Sequence, residues 1–133
     1  MKTFKNKIAV VVFSIAIALS SCTTENLNSD DRDDYTGNWI CQETSSQLGS
    51  SSYNVTITKS GTDSTAILIS NFYNLGSSKS AKAIVNGNSL LINAQLVDNL
   101  NVAGSGTLNG TQINLSYTVS AGGTDNVTAV YSK

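Results

Sequence analysis

Asn109-Gly110-Thr111-Gln112-Ile113-Asn114-Leu115-Ser116-Tyr117-Thr118-Val119-Ser120 carries the two signals that decide the fold. Asn-Gly supplies residues that tolerate positive φ, as a tight hairpin turn requires. The alternation that follows puts Ile113, Leu115, Tyr117 and Val119 on one face of a strand and Asn114 on the other. Asn86-Gly87-Asn88 repeats the turn chemistry, followed by Leu90 and Ile92 on one face with Asn93 opposite; Tyr53, Val55 and Ile57 share a face, with Thr56 turned away. Ser60-Gly61-Thr62-Asp63 and Gly122-Gly123-Thr124-Asp125 read as slightly longer turns of the same kind.

Extended along the chain, this pattern predicts eight strands: Asn38 to Thr44, Ser52 to Lys59, Thr65 to Phe72, Lys79 to Val85, Ser89 to Gln95, Val102 to Leu108, Gln112 to Ser120 and Asn126 to Ser132. Consecutive hairpins make an antiparallel up-and-down meander, and eight strands suffice to close it into a small barrel that has no exposed edge; a β-sandwich is the alternative. Ala66 to Ile69 is apolar on both faces, which implies some cover from outside. Gly104 and Gly106, two apart on one face, imply a sharp bend or a close backbone approach.

The composition agrees. The chain has no Pro and no His, charged residues are only 13%, and Ser, Thr, Asn and Gly fill much of the remainder. Residues 35 to 133 balance four Lys (Lys59, Lys79, Lys82, Lys133) against four acids (Glu43, Asp63, Asp98, Asp125), which leaves no basic footprint for nucleic acid.

The N-terminus is an address. Lys2, Lys5 and Lys7 precede an apolar run from Ile8 to Leu19, which is too short to span a bilayer core of roughly 30 Å. Leu19-Ser20-Ser21-Cys22 resembles the lipobox of bacterial lipoproteins. That resemblance implies a signal peptide over residues 1–21, cleaved after a diacylglycerol is placed on the Cys22 thiol, and a membrane anchor made of palmitate-like chains rather than a transmembrane helix. Residues 22–34 are polar and acidic and read as a disordered tether, with residues 35–133 as the barrel domain. Ser29-Asp30-Asp31 resembles the Ser-plus-acidic export signals of some Gram-negative lipoproteins, which implies an outer-membrane, surface-exposed location; a plain linker facing the periplasm is the alternative. Asp63-Ser64-Thr65 resembles the short acceptor of bacterial O-glycosylation.

Thr36-Gly37-Asn38-Trp39 resembles the opening of the calycin group, the lipocalins and avidins. The resemblance implies that Gly37 and Trp39 close the base of the barrel and that Lys133, from the last strand, packs over the Trp by a cation–π contact. More broadly, Tyr53 to Ile57, Asn71-Phe72, Gln95, Gly104 to Gly106, Ile113 to Tyr117 and Ala129 to Lys133 resemble small lipocalin-like lipoproteins. Avidins ring biotin with several Trp and this chain has one, so biotin is not carried over.

The chemistry is sparse. Without His there is no Ser-His or Cys-His pair and the commonest metal ligand is missing, so neither catalytic nor metal residues are assigned and no cofactor is expected. Cys41 shares the Trp39 face and reads as a buried, inert thiol. The four domain acids look like turn-capping residues, three of them lying at predicted turns. The expectation is therefore a non-enzymatic envelope lipoprotein that binds a small apolar ligand, a glycan or a protein partner, with a structural or accessory subunit as the alternative. Three connections are expected to frame the mouth: Ser45 to Ser51, Asn74 to Ser78 and Val97 to Asn101. Gln47, Leu48, Tyr73, Leu75 and Asn99 are the binding candidates by position in or beside them.

Overall fold

The computed structural model describes residues 29–133; the signal peptide, Cys22 and the tether up to residue 28 lie outside the described residues. Eight strands follow one another as β1 (Gly37–Ser45), β2 (Gly49–Lys59), β3 (Ala66–Ser70), β4 (Ser80–Asn86), β5 (Ser89–Val97), β6 (Leu100–Asn109), β7 (Gln112–Ser120) and β8 (Thr124–Ser132). Each pairs antiparallel with the next. β8 returns to β1 from Ile40↔Ser132 to Ser45↔Val127, so the sheet is a closed barrel and not a sandwich.

Two of the expected mouth loops are shorter than predicted. The β1–β2 ladder runs up to Ser45↔Gly49, which leaves a three-residue turn with Gly49 left-handed (φ 79°) where Ser45 to Ser51 had read as a long connection. The β5–β6 ladder reaches Val97↔Leu100 and turns through Asp98 and Asn99 alone, both left-handed (φ 50° and 66°), a conformation that Asp and Asn adopt at lower cost than most residues. At β1–β2, serines that resemble loop composition still supply ladder bonds, and at β5–β6 Leu96, Val97 and Leu100 extend the ladder past the predicted strand ends.

Gly104 and Gly106 mark a close approach. They face Tyr117 and Leu115 across the β6–β7 ladder, and a Cβ on Gly104 would fall 2.4 Å from both Ser116 O and Tyr117 Cβ. On the other side of β5 the wall is thinner, since β4 and β5 pair only from Ile84↔Leu91 to Asn86↔Ser89. Beyond that point Gln95 takes over the ladder: its Oε1 accepts from Lys82 N (2.8 Å) and its Nε2 donates to Lys82 O (2.7 Å). A shift of register between Ile92 and Gln95 brings it there.

The base of the barrel is filled by Tyr35 and Trp39, both essentially without exposure. Trp39 Nε1 donates to Tyr35 O (2.7 Å), Tyr35 Oη donates to Gly87 O (3.0 Å), and Lys133 Nζ lies 4.3 Å from the centre of the Trp39 ring while donating to Thr36 O (2.9 Å). Gly37 (φ 120°) holds a conformation that a side chain would oppose, beneath that lysine.

Residues 30–34, which composition assigned to the disordered tether, are ordered against this base. Asp31–Asp34 is a 3-10 turn capped by the Asp30 carboxylate. Arg32 binds Asp30 (2.7 Å) and donates from Nη1 to Ser60 O (3.3 Å), Asp63 O (3.1 Å) and Ala66 O (3.2 Å). Lys59 pairs with Asp30 and Asp33, and Asp31 accepts from Gly87 N (2.9 Å). Order comes here from charge-assisted hydrogen bonds to the basal turns, which a count of apolar residues does not register. This segment also lies over the start of β3, where the apolar run needed cover. The chain thus joins the barrel at the base, and the mouth is at the opposite end.

Candidate functional site: the stoppered mouth and the polar centre beneath it

Four connections meet at the mouth: residues 46–48, 71–79, 98–99 and 121–123. Gln47, Leu48 and Tyr73 line a pocket of about 260 Å³ together with Leu100, Val119 and Asp125. Leu75 and Asn99 belong to the same end but not to that lining, Leu75 being packed against the core and Asn99 lying exposed in its turn.

The β3–β4 connection acts as a stopper. Asn71, Tyr73 and Asn74 are all left-handed (φ 60°, 54° and 56°), a state that Asn tolerates and that is costly for Tyr73. The Asn71 side chain secures it, donating to Asn54 O (2.8 Å) and accepting from Gly76 N (2.8 Å). The outcome is that Phe72 points into the barrel, wholly buried, with its ring 4.6 Å from that of Tyr117. Tyr73 stands edge-on to Tyr117 at 6.4 Å and donates to Asp125 Oδ2 (2.6 Å).

Asp125 ties this stopper to the β1–β2 turn. Its carboxylate also accepts from Ser45 Oγ (2.5 Å), Ser46 Oγ (2.9 Å) and Gln47 N (3.1 Å). Burial pushes its pKa up, but the hydrogen bonds outweigh burial and hold it at about 2.

Below Phe72 the interior turns polar. Glu43, only 5% exposed, accepts at Oε2 from both Tyr53 Oη and Tyr117 Oη. Cys41 sits on the same face of β1, flanked across the ladders by Tyr53 and Tyr131. Tyr131 Oη is buried and has no hydrogen-bond partner among the described residues. Burial is the largest cause raising the three phenols above the usual tyrosine range, so they are hydrogen-bond donors rather than phenolates. Burial likewise pushes the Cys41 thiol up to about 12, which keeps it a thiol and a poor nucleophile.

The arrangement suits hydrogen bonding inside an apolar shell. Among the described residues no three acids or thiols cluster closely enough to hold a metal ion. A larger groove of about 540 Å³ lies on the outer wall over Gln42, Thr44, Ser50, Ser52 and Thr128, but these are exposed side chains with no shared partner. Sequence reasoning grouped Glu43 with the turn-capping acids and gave Tyr131 no role. The signal was there: Trp39, Cys41 and Glu43 alternate onto one face, and a carboxylate on a core face requires donors, which core-face tyrosines supply.

The fold and site define a closed, eight-stranded up-and-down β-barrel of the lipocalin-like kind, with a filled base and an aromatic stopper in the mouth. No protein-family model matches the chain, and no curated protein matches it. Among solved structures it is similar to EF1p2_mFAP2b bound to DFHBI, with a TM-score of 0.57 at 13% identity, covering 78% of this chain and 97% of that one. At that identity the likeness is one of fold.

Proposed function

We propose that this chain is a lipid-anchored bacterial envelope protein whose barrel is a binding module for a small ligand admitted at the stoppered mouth. The observation that carries the binding part is the stopper. Tyr73, left-handed between two Asn that tolerate that state, costs on the order of 1–3 kcal/mol, and this strain seats an aromatic ring over a buried polar centre that mere stability does not require. EF1p2_mFAP2b, which shares the fold, is bound to DFHBI, and this supports the small-molecule reading. The anchor part rests on the lipobox-like Leu19-Ser20-Ser21-Cys22, and Ser29-Asp30-Asp31 supports the outer-membrane surface over the periplasmic face.

The solid base, with Tyr35 and Trp39 both buried, favours a second reading, an accessory envelope subunit without a ligand; a glycan or protein partner would then use the outer wall. Native mass spectrometry of the mature protein from its own host separates the two. A co-purifying small molecule is expected, and a bare protein mass after gentle extraction favours the subunit. Metabolic labelling with a fatty-acid analogue tests the anchor: Cys22→Ala is expected to lose the label, and a variant that still takes it up refutes lipidation.

A further inference from the structure

We infer that the interior centre formed by Glu43, Tyr53, Tyr117 and Tyr131 is the recognition subsite of this module, and that it selects an uncharged, hydroxyl-bearing apolar molecule of phenol size. This deepens the binding-module reading and rests on it. Tyr53 and Tyr117 spend their protons on Glu43 Oε2, whereas the Tyr131 proton has no acceptor although the hydroxyl is fully buried. Buried polar groups without a partner are rare in native folds, and each calls for a specific explanation.

Tyr131 and Tyr53 flank Cys41 across the two ladders of β1, and Glu43 is the next inward residue along that strand. A free donor and a carboxylate therefore lie in adjacent layers of the same interior. A carboxylate offers about four acceptor positions, and two donors reach Glu43. A guest group must accept from Tyr131 while donating to Glu43. A hydroxyl does both, an ammonium has no lone pair for the Tyr131 proton, and a second carboxylate is repelled.

The shell sets the guest's body. Tyr117 rests its ring on Phe72 at 4.6 Å while its hydroxyl meets Glu43. A phenol lying beside Tyr117 in the place of the Phe72 ring would carry its own hydroxyl toward the same carboxylate. Swinging the strained Phe72–Asn74 turn outward vacates that place and joins it to the 260 Å³ mouth pocket.

The test titrates the full processed protein with phenol, toluene, benzylamine and benzoate, by ligand-observed NMR, in the wild type and in Tyr131→Phe. Since Tyr131 Oη has no partner, removing it leaves the fold intact. Phenol is expected to bind the wild type about tenfold more tightly than toluene, and Tyr131→Phe to erase that difference by weakening phenol alone, the scale of one hydrogen bond. Benzoate and benzylamine are expected to bind more weakly than phenol. Equal binding of phenol and toluene to the wild type overturns the subsite, as does phenol binding that is unchanged in Tyr131→Phe, the hydroxyl then being satisfied by a buried water. If no probe binds while native mass spectrometry finds a co-purified molecule, the subsite falls and the binding reading stands. If both are negative, the binding reading itself falls.

Discussion

Replacing Phe72 by alanine removes a wholly buried ring that lies tilted against Tyr117 beneath the mouth. Phe→Ala in a core costs about 3–5 kcal/mol from lost transfer energy and the cavity left behind. Part of this is returned here, because Tyr73 can relax from left-handed backbone once nothing holds the ring inside, a gain of about 1 kcal/mol, whereas Asn71 and Asn74 tolerate that conformation and return little. The expected net loss is about 3 kcal/mol. That is a large share of the roughly 5–15 kcal/mol of a small domain but leaves it folded. In urea, with an m-value of about 1.5 kcal/mol/M, the midpoint falls by about 2 M with m unchanged. Hydrogen exchange should quicken in residues 71–79 and leave the basal ends of β1, β7 and β8 protected. A loss under about 1 kcal/mol, or protection lost first at the base, would refute the stopper as a seated plug that can open by itself.

Gly104→Ala sets a methyl group 2.4 Å from the backbone of β7, so it should destabilise by about 2–3 kcal/mol in thermal or urea unfolding. Lys133→Ala removes the contact over Trp39 and should cost about 0.5–1 kcal/mol, with a red shift of the single tryptophan's emission. Asp125, held at about 2 against an ordinary 3.8, adds stability that is complete above pH 3.8 and is lost as pH falls toward 2. Asp125→Asn should flatten that part of an acid unfolding curve and loosen residues 45–48 and 71–75 together. Arg32→Ala should leave the barrel folded but expose residues 30–36 to proteolysis.

The fold was legible because its determinants are local, namely Asn-Gly turns and two-residue alternation, and the distant contact of Lys133 with Trp39 was legible only through the resemblance carried by Gly37-x-Trp39. Legibility stopped where one side chain substitutes for backbone. Gln95 completes the β4–β5 wall, Arg32 binds three basal carbonyls, and Asp125 gathers two segments about 50 and 80 residues distant. Each is a long-range hydrogen bond with no periodic trace in the sequence. The mouth end was located from connection order alone, whereas the polar centre went unread because Glu43 was grouped with the turn acids although its alternation with Trp39 and Cys41 turns it inward.

The docked Asp30–Tyr35 segment sets the pole from which any N-terminal tether leaves the barrel, as well as the domain's boundary. With Cys22 acylated as proposed, the eight peptide steps from Cys22 to Asp30 reach at most about 3.3–3.6 Å each, so the sealed pole is leashed within about 30 Å of the lipid surface. Since that leash would leave from the pole opposite the aperture, an aperture held away from the bilayer would face whatever diffuses past the envelope, and a hydrophobic guest would then be drawn from the aqueous side rather than extracted from the lipid beneath.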